Sequence, residues 1–285
     1  ALPIWSCLTG IGVDNSVNGM GGDRNGNIWV GTDRAGLIRM NVNTHEMEAA
    51  ETKNMNTGLL NTDIIRVQSI YIDDTDLLWV GTEKSGVAYY GKNIYRFFST
   101  QLKDVTAITQ DNSGRVWYGT SNHGVEGYDG PIASYKVSAM QYTQDGSLWV
   151  GSKQNGLTRI KEGRATIYSA ADGGQSSLID DHINALCTDR VGNLWMATNG
   201  GMQVFNPKMN TFSSYTKENG KFTTNSITAL YYARDNKLLV GTSEGLSVLN
   251  LSSTQITHLT GNATNLKSFT NNYITQVFED SRGLI

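Results

Sequence analysis

Proline and cysteine are both scarce in this chain of 285 residues, which contains three prolines and two cysteines. Cys7 and Cys187 match neither a metal-ligand spacing nor a redox-pair motif. Cys187 falls inside an apolar strand pattern, where a cysteine usually behaves as a small buried hydrophobe. We therefore predict a buried thiol at Cys187 in preference to a disulfide.

Long apolar runs and a basic face are also missing. No stretch approaches the 18 apolar residues of a membrane-spanning helix, so we expect no membrane contact by this segment. The formal net charge is −3 without a basic stripe, which argues against nucleic-acid binding. The first residues, ALPIW, include neither an initiator Met nor a charged leader. A removed signal peptide and a longer parent chain both remain open explanations.

Glycine is abundant, at 31 residues, and recurs with Trp, Tyr, Val and Thr in a pattern typical of turns joining many short strands. One phrase returns along the chain, as in "NIWVGTDRAGL" and "LLWVGTEKSGV". Its anchors are Trp29, Trp79, Trp117, Trp149, Trp195 and Leu239, spaced by 50, 38, 32, 46 and 44 residues. A four-stranded propeller blade needs about 40–50 residues. Apolar residues recur at a spacing of two, which excludes a helical solenoid.

Each repeat begins with an expected inner strand, twelve residues before its anchor. A β-branched residue opens this strand, and a small residue and then a large apolar residue follow, as in Val17, Gly19 and Met20. The seventh repeat departs from this with Gln276 at the small position. Small side chains on one face and large ones on the other suit strands that converge near an axis.

A turn with a repeated chemistry follows the inner strand. An Asp opens it in five repeats, at Asp23, Asp73, Asp111, Asp189 and Asp280, while Thr143 and Ala233 are the exceptions. An Asp at this point can accept hydrogen bonds from the backbone N–H groups of the turn. Three residues before each anchor stands a residue that tolerates positive φ: Gly26, Asp76, Gly114, Gly146, Gly192, Asn236 and Gly283. We therefore predict a left-handed residue in every repeat.

The anchor Trp lies in the second strand, where contact between blades would bury it. The Gly after it allows a neighbouring blade to approach closely, and a Gly-apolar pair opens the third strand. We predict an all-β fold, a single seven-bladed β-propeller of four-stranded antiparallel blades over residues 1–285, with six full repeats and the first half of a seventh. The last blade is expected to be incomplete in this chain, or completed beyond residue 285, and "PIWSCLT" could supply an outer strand.

The phrase varies only between its "GT" and "GL" parts. These variable loops join the second and third strands and are expected at the same end as the loops that lead into each inner strand. Variable polar residues on a rigid scaffold favour ligand binding. The candidate binding residues are Arg34, Lys84, Asp104, His123, Tyr135, Lys136, Lys153, Gln154, His182 and Tyr273. The cations among them favour an acidic sugar, whereas Asp104, Glu83 and Glu244 weaken that inference.

The repeat "DRNGNIWVGTDRAGL", with "DNSGRVWYGTSNHGV" and "DRVGNLWMATNGGM", resembles the two-component regulator propeller repeat over nearly the whole chain. The resemblance implies the periplasmic sensor region of a membrane-bound hybrid histidine kinase of Bacteroidetes type, acting through a phosphorelay. It also implies an oligosaccharide ligand, control of polysaccharide-utilisation genes, a second propeller and a β-sandwich in the same intact chain, and a homodimeric sensor. Kinase activity would belong to the intact protein, so we expect this segment to be non-catalytic and without cofactor or metal.

Two alternatives remain open. One is a propeller lyase, which needs an acid/base pair, often with a metal. His123 and His182 are expected on the variable end but in different blades, and no His-x-His or clustered carboxylate pattern accompanies them. The other is a protein–protein interaction or dimerisation propeller without its own small-molecule site, which an apolar patch on the rim would favour.

Overall fold

A computed structural model describes residues 16–50, 66–91, 94–98, 103–127, 136–173, 177–261, 272–280, 283 and 285. The chain divides into two compact units, residues 1–109 with 279–285, and residues 110–278. Cys7, Tyr135 and the predicted N-terminal strand "PIWSCLT" lie outside the described residues.

The first unit contains two four-stranded antiparallel sheets, each with its strands in sequence order. The first sheet comprises β1 (Val17–Gly22), β2 (Asn27–Thr32), β3 (Leu37–Asn41) and β4 (Met47–Ala49). The second comprises β5 (Val67–Ile72), β6 (Leu78–Thr82), β7 (Val87–Gly91) and β8 (Ile94–Phe98). These elements match the first two sequence repeats strand for strand.

The third repeat contributes the two-stranded sheet of β9 (Val105–Gln110) and β10 (Val116–Thr120). A single bridge from Gly119 to Val125 marks the start of its third strand. The boundary between the two units falls inside β9.

The second unit contains three further four-stranded antiparallel sheets. The fourth repeat forms β11 (Val137–Tyr142), β12 (Leu148–Ser152), β13 (Leu157–Lys161) and β14 (Arg164–Tyr168). The fifth forms β15 (Ile183–Thr188), β16 (Leu194–Thr198), β17 (Gly201–Asn206) and β18 (Thr211–Tyr215). The sixth forms β19 (Ile227–Ala233), β20 (Lys237–Thr242), β21 (Gly245–Asn250) and β22 (Ile256–Leu259).

The all-β architecture of four-stranded antiparallel propeller blades is confirmed. The count of seven blades is not, because the described residues form five four-stranded sheets and one two-stranded sheet. Residues 273–280 of the seventh repeat are described without an assigned strand. The single ring over residues 1–285, with an incomplete last blade, stays a prediction.

The turns between first and second strands follow the predicted chemistry. All seven predicted left-handed residues have positive φ, between 57° for Asn236 and 89° for Gly192. In the first repeat Asp23 Oδ1 accepts hydrogen bonds from the backbone N–H groups of Asn25 and Asn27, at 2.9 and 2.8 Å. The carboxylate thus replaces the water that these turn N–H groups would otherwise need.

The other oxygen of the same Asp accepts a hydrogen bond from the anchor indole. The distances from Trp Nε1 to Asp Oδ2 are 2.9, 2.8, 2.9 and 3.0 Å in the first, second, third and fifth repeats. Burial raises the pKa of Asp73, but hydrogen bonds from Trp79, Thr75 and two backbone N–H groups hold that pKa below its ordinary value. One carboxylate therefore joins the turn to the large side chain that packs between blades.

The fourth repeat replaces this arrangement with a charged network. Thr143 stands at the Asp position and donates to Asp145 Oδ1 at 2.5 Å. Asp145 Oδ2 accepts hydrogen bonds from Arg159 and Lys161 at 2.6 and 3.2 Å. The Arg159 guanidinium carbon lies 5.3 Å from the centre of the Trp149 ring. The sixth repeat has instead lost both partners, with Ala233 and Leu239 in their places, and both are buried.

The anchors Trp29, Trp79, Trp149, Trp195 and Leu239 are buried, as predicted, whereas Trp117 is half-buried. Trp29 packs with Val67, Leu78 and Val80 of the next sheet, and Trp195 packs with Ile227, Leu238 and Val240. The Gly after the Trp is required because a Cβ on Gly151 would lie 2.6 Å from Ile183 Cγ2 of the following sheet. Cys187 is buried in the second unit and free, as predicted, and burial raises the pKa of its thiol.

Polar side chains of the inner strands also join neighbouring blades. Each donates a hydrogen bond to the backbone carbonyl of the β-branched residue that begins the next repeat. The bonds are Asn18 to Val67 at 2.8 Å, Ser138 to Ile183 at 2.6 Å, Asn184 to Ile227 at 2.7 Å and Thr228 to Ile274 at 2.5 Å. They occur at the residue that follows the β-branched position, to which the repeat pattern alone assigns no role.

Candidate functional site

Two kinds of loop form what we call the rim of each unit. The 2–3 loops join the second and third strands of a blade, and the 4–1 loops lead from one blade into the inner strand of the next. In the first unit the backbone N–H of Asp33 donates to Ser16 at 3.0 Å, and that of Glu83 donates to Arg66 at 3.2 Å. In the second unit Ser243 donates to Ser226 at 3.2 Å. Within each unit the two sets of loops therefore lie at the same end of the blades.

A buried hydroxyl group supports the base of each of the six 2–3 loops that the structure describes. The Thr or Ser after the repeated Gly donates to the carbonyl of the Gly that closes the loop and accepts a hydrogen bond from a loop N–H. In the first repeat Thr32 Oγ1 makes these bonds to Gly36 and Ala35, both at 2.9 Å. The same hydroxyl-to-carbonyl bond is made by Thr82, Thr120, Ser152, Thr198 and Thr242. The "GT" or "GS" of the phrase thus fixes the loop backbone, whatever side chains the loop carries.

The long 4–1 loops of the second unit are also fixed at their ends. Three Asx side chains, each two residues before an inner strand, accept a backbone N–H from the start of their own loop. The bonds are Ala170 to Asp181 at 2.7 Å, Lys217 to Asn225 at 2.7 Å and Gly261 to Asn272 at 2.5 Å. Leu178 and Phe222, three residues before Asp181 and Asn225, are buried in the core. These residues hold His182, Ser226 and Tyr273 in place at the rim.

Charged side chains of the first unit are joined across two blades. Arg66 Nη1 lies 3.0 Å from Glu83 Oε2, and Arg66 Nε lies 3.8 Å from Asp33 Oδ1. The candidate Arg34 lies 3.9 Å from the other oxygen of Asp33, with 64 % of its side chain exposed. The candidate Asp104 donates its backbone N–H to Glu83 at 2.7 Å, with φ of 55°. Lys84 is exposed in the same 2–3 loop as Glu83.

The candidates of the second unit come from several blades. Lys153 and Gln154 are exposed in the 2–3 loop of the fourth repeat, and Lys136 precedes its inner strand. Strands β11 and β12 pair Val137 with Ser152, which adjoin Lys136 and Lys153 in sequence.

The two rim histidines belong to different repeats. His123 is exposed in the third repeat, whereas His182 is half-buried in the fifth and donates its backbone N–H to Asp180 at 2.7 Å. Tyr273 is 53 % exposed, and Tyr135 lies outside the described residues. All ten candidates stay predictions as ligand contacts.

Arg66, the centre of the first unit's charge network, is not among the predicted binding residues. The hydroxyl supports and the Asx anchors were also not predicted. Among the described residues, no group of three or more His, Cys, Asp or Glu side chains is placed to hold a metal ion. No helix in the described part of the chain is long and apolar enough to cross a bilayer.

Comparison with known proteins agrees with the repeat and the fold. The sequence profile of the family "two component regulator propeller" matches residues 12–34 and 177–200. A search of curated protein sequences found no match.

One similar solved structure is the extracellular domain assigned to the hybrid two-component system BT3049 of B. thetaiotaomicron. The two chains superpose with a TM-score of 0.76 at 19% sequence identity. The match covers 95% of this chain and 38% of that one. The corresponding domain of BT4673 from the same organism superposes with a TM-score of 0.74 at 22% sequence identity. The match covers 95% of this chain and 37% of that one. This chain therefore spans less than two-fifths of the length of these two proteins.

A smaller protein with the same fold is an enzyme. A catalytically inactive virginiamycin B lyase from Staphylococcus aureus superposes with a TM-score of 0.67 at 16% identity, covering 86% of this chain and 84% of that one. At such identities the likeness shows the propeller fold alone. This chain is therefore a β-propeller segment in which two stretches match the two component regulator propeller family, and its fold is similar to that of the extracellular domains of hybrid two-component systems.

Proposed function

We propose that this chain is a non-catalytic, ligand-sensing propeller in the periplasmic region of a hybrid two-component sensor histidine kinase and response regulator, and that its ligand is an oligosaccharide whose detection controls polysaccharide-utilisation genes. The observation that carries the proposal is the contrast between the two ends of the blades. One end repeats an Asp-containing turn in which the Asp binds the anchor Trp in four of the described blades. The rim carries different polar side chains on loops that share the same kind of hydroxyl support.

The rim chemistry suits a sugar. Sugars present hydroxyl groups to amide and charged side chains, and C–H faces to aromatic rings. Gln154, Lys153 and Tyr273 offer both kinds of contact and are exposed. Because the loop backbones are fixed before a ligand arrives, little conformational entropy is lost on binding.

Titration calorimetry of the full chain against a panel of plant and host oligosaccharides tests the proposal. We expect one oligosaccharide class to bind, and His182→Ala at the rim to weaken that binding. Arg190→Ala, in the uniform turn after β15, is the matched control and should bind as the unaltered chain does. If neither this chain nor the intact sensor region binds any member of the panel, the oligosaccharide proposal is wrong.

A lyase is the second candidate, because the virginiamycin B lyase shares the fold over most of its length. The lyase alternative predicts catalytic turnover of a substrate, and this turnover should disappear when His123 and His182 are replaced together. An assay that detects binding without turnover favours the sensor.

The protein–protein alternative predicts an interaction without a small-molecule site. The exposed large apolar residues of the second unit come from separate elements, among them Ile167 in β14, Met209 after β17 and Leu259 in β22. Scattered residues of this kind are normal on a protein surface and do not by themselves favour an interface.

A further inference from the structure

Two polar side chains lie on adjacent loops at the rim of the fifth blade, in the second unit. Asp180 is half-buried in the 4–1 loop that leads into β15, and Asn199 is exposed at the start of the 2–3 loop. This 2–3 loop is short, because Thr198 already pairs with Gly201. A Cβ on Gly200 would lie 2.9 Å from Asp180 Cβ and 3.6 Å from Asp180 Oδ2. The Asp180 carboxylate therefore lies directly against the loop that carries Asn199.

The sixth blade has the same arrangement with smaller side chains. Its 2–3 loop has the same length, and Thr224 and Ser243 occupy the positions of Asp180 and Asn199. There the hydroxyl oxygens of Thr224 and Ser243 lie 3.3 Å apart in a hydrogen bond. In a blade of this shape, the residue three positions before the inner strand and the first residue of the 2–3 loop are thus neighbours.

In the fifth blade each of these two side chains uses one terminal atom within the fold. Asp180 Oδ1 accepts the backbone N–H of His182 at 2.7 Å, and Asn199 Oδ1 accepts the side-chain amide of Asn184 at 3.0 Å. Among the residues that the structure describes, Asp180 Oδ2 and Asn199 Nδ2 have no hydrogen-bond partner. A charged acceptor and an amide donor are therefore both open at this point of the rim.

The backbone on either side of Asp180 is fixed. The side chain of Gln203, buried in β17, accepts the N–H of Ile179 at 3.0 Å. The carboxylate of Asp181 accepts the N–H of Ala170 at 2.7 Å. Because Asp180 stands between these two anchored residues, its open oxygen is held in place before a ligand arrives, and little conformational entropy is lost on binding.

We propose that Asp180 and Asn199 form a subsite for two neighbouring hydroxyl groups, a vicinal diol, of a neutral sugar residue. This inference rests on the proposed function and adds the chemistry of the ligand to it. A hydroxyl group both donates and accepts. The Asn199 amide donates to the first hydroxyl, the first hydroxyl donates to the second, and the second donates to Asp180 Oδ2. Hydrogen bonds in such a chain strengthen one another, and the charge of the carboxylate strengthens the last one.

Matched oligosaccharides test the diol by calorimetry on the full chain. Cello-oligosaccharides and laminari-oligosaccharides are both chains of β-glucose. The linkage of the first leaves two neighbouring hydroxyl groups free on every internal residue, whereas the linkage of the second occupies one of the two. With these and the corresponding galacto-oligosaccharides, we expect a member with free neighbouring hydroxyls to bind about tenfold more tightly than its partner. Oligogalacturonides should bind more weakly than their methyl esters, because the Asp180 carboxylate repels an acidic sugar.

Exchanging the two side chains locates the effect. Asp180→Asn keeps the acceptor for His182 and replaces the open oxygen with a donor. Asn199→Asp keeps the acceptor for Asn184 and replaces the open donor with an oxygen. Each single variant breaks the order of donor and acceptor and should weaken binding roughly tenfold, the usual scale of a charge-assisted hydrogen bond.

The double variant distinguishes binding from a structural role. It again presents one donor and one acceptor, in reverse order, so the diol chain reverses and binding should be tighter than in either single variant. Losses that simply add in the double variant would overturn the donor–acceptor pair. Glu162→Gln makes the same carboxylate-to-amide change at an exposed residue in the turn between β13 and β14, at the end opposite the rim, and should leave the affinity unchanged.

The outcomes separate this inference from the proposed function. If an oligosaccharide binds the two single variants as tightly as it binds the unaltered chain, the diol subsite is wrong while oligosaccharide sensing stands. If no oligosaccharide of the panel binds, both fall.

Discussion

The smallest functional unit of the fold is a single Asp with its Trp, six residues apart in sequence. In four repeats one carboxylate oxygen serves the turn and the other accepts the indole N–H. The turn contacts follow from the sequence because Asp accepts local N–H groups wherever a chain reverses. The indole bond was not predicted, although one signal was present: the sixth repeat lacks the Trp and the Asp together, at Leu239 and Ala233.

The hydrogen bond between Asp73 and Trp79 is expected to contribute to the free energy of unfolding. Asp73→Asn presents an amide donor to the indole donor, so a buried N–H loses its acceptor and the free energy of unfolding should fall by about 1–3 kcal/mol. Urea denaturation measures this loss.

Two further variants show whether the indole bond is the cause. Trp79→Phe combined with Asp73→Asn should cost less than the sum of the single changes, and Asp74→Asn, at an exposed neighbour, should cost little. Strictly additive losses would contradict a bond that stabilises the blade.

At the scale of elements, blades fit together through a Gly in one sheet and a β-branched residue in the next. Four glycines and one alanine occupy the position two residues after the anchor in the five four-stranded sheets. The sequence predicted the strand order, the left-handed turn residues and the close approach of neighbouring blades. Each of these depends on a local sequence pattern and on packing that all repeats share. The Asx anchors of the 4–1 loops were not predicted, since their partners lie eight or more residues away along irregular backbone. Only the repeated apolar-x-x-Asx spacing, as in Leu178–Asp181, gave a hint of them.

The fit between β12 and β15 predicts the effect of adding one methyl group. Gly151→Ala places a Cβ 2.6 Å from Ile183 Cγ2, which is too short for two atoms that are not bonded. The resulting overpacking should lower the free energy of unfolding by roughly 1–3 kcal/mol. Thermal and urea denaturation check this.

The matched rescue variant is Ile183→Ala, which removes Cγ2, the atom in the closest contact, and leaves only the Cβ at 2.9 Å. The double variant should then be more stable than the sum of the two single losses predicts. A Gly151→Ala chain as stable as the unaltered one would show that the blades are less closely packed than described.

For the molecule as a whole, the carboxylates at the turn end predict sensitivity to acid. Burial raises the pKa of Asp111, but hydrogen bonds from Ser113 and Trp117 outweigh this effect and lower it. Burial likewise raises the pKa of Asp145, and hydrogen bonds outweigh this effect and lower that pKa. The donors to Asp145 are Thr143, Ser147, Lys161 and Arg159. Because the folded pKa lies below the unfolded value, near 3.9, this stability is complete above that value and is lost as pH falls through the folded pKa.

Urea denaturation as a function of pH measures this effect. The free energy of unfolding should change little from pH 7 to 5 and fall steadily below about pH 4. Asp145→Asn should lower stability at neutral pH and flatten the acid decline. An unaltered decline in this variant would mean that the fourth repeat's network contributes nothing to acid sensitivity.

The buried hydroxyl beneath each 2–3 loop has an evolutionary consequence. It specifies the backbone without help from the two or three side chains above it, so a lineage can exchange those side chains while the domain still folds. Paralogues that share this scaffold should therefore diverge fastest at Asp33–Ala35, Lys153–Asn155 and their equivalents, and new specificities can arise there through a handful of codon changes.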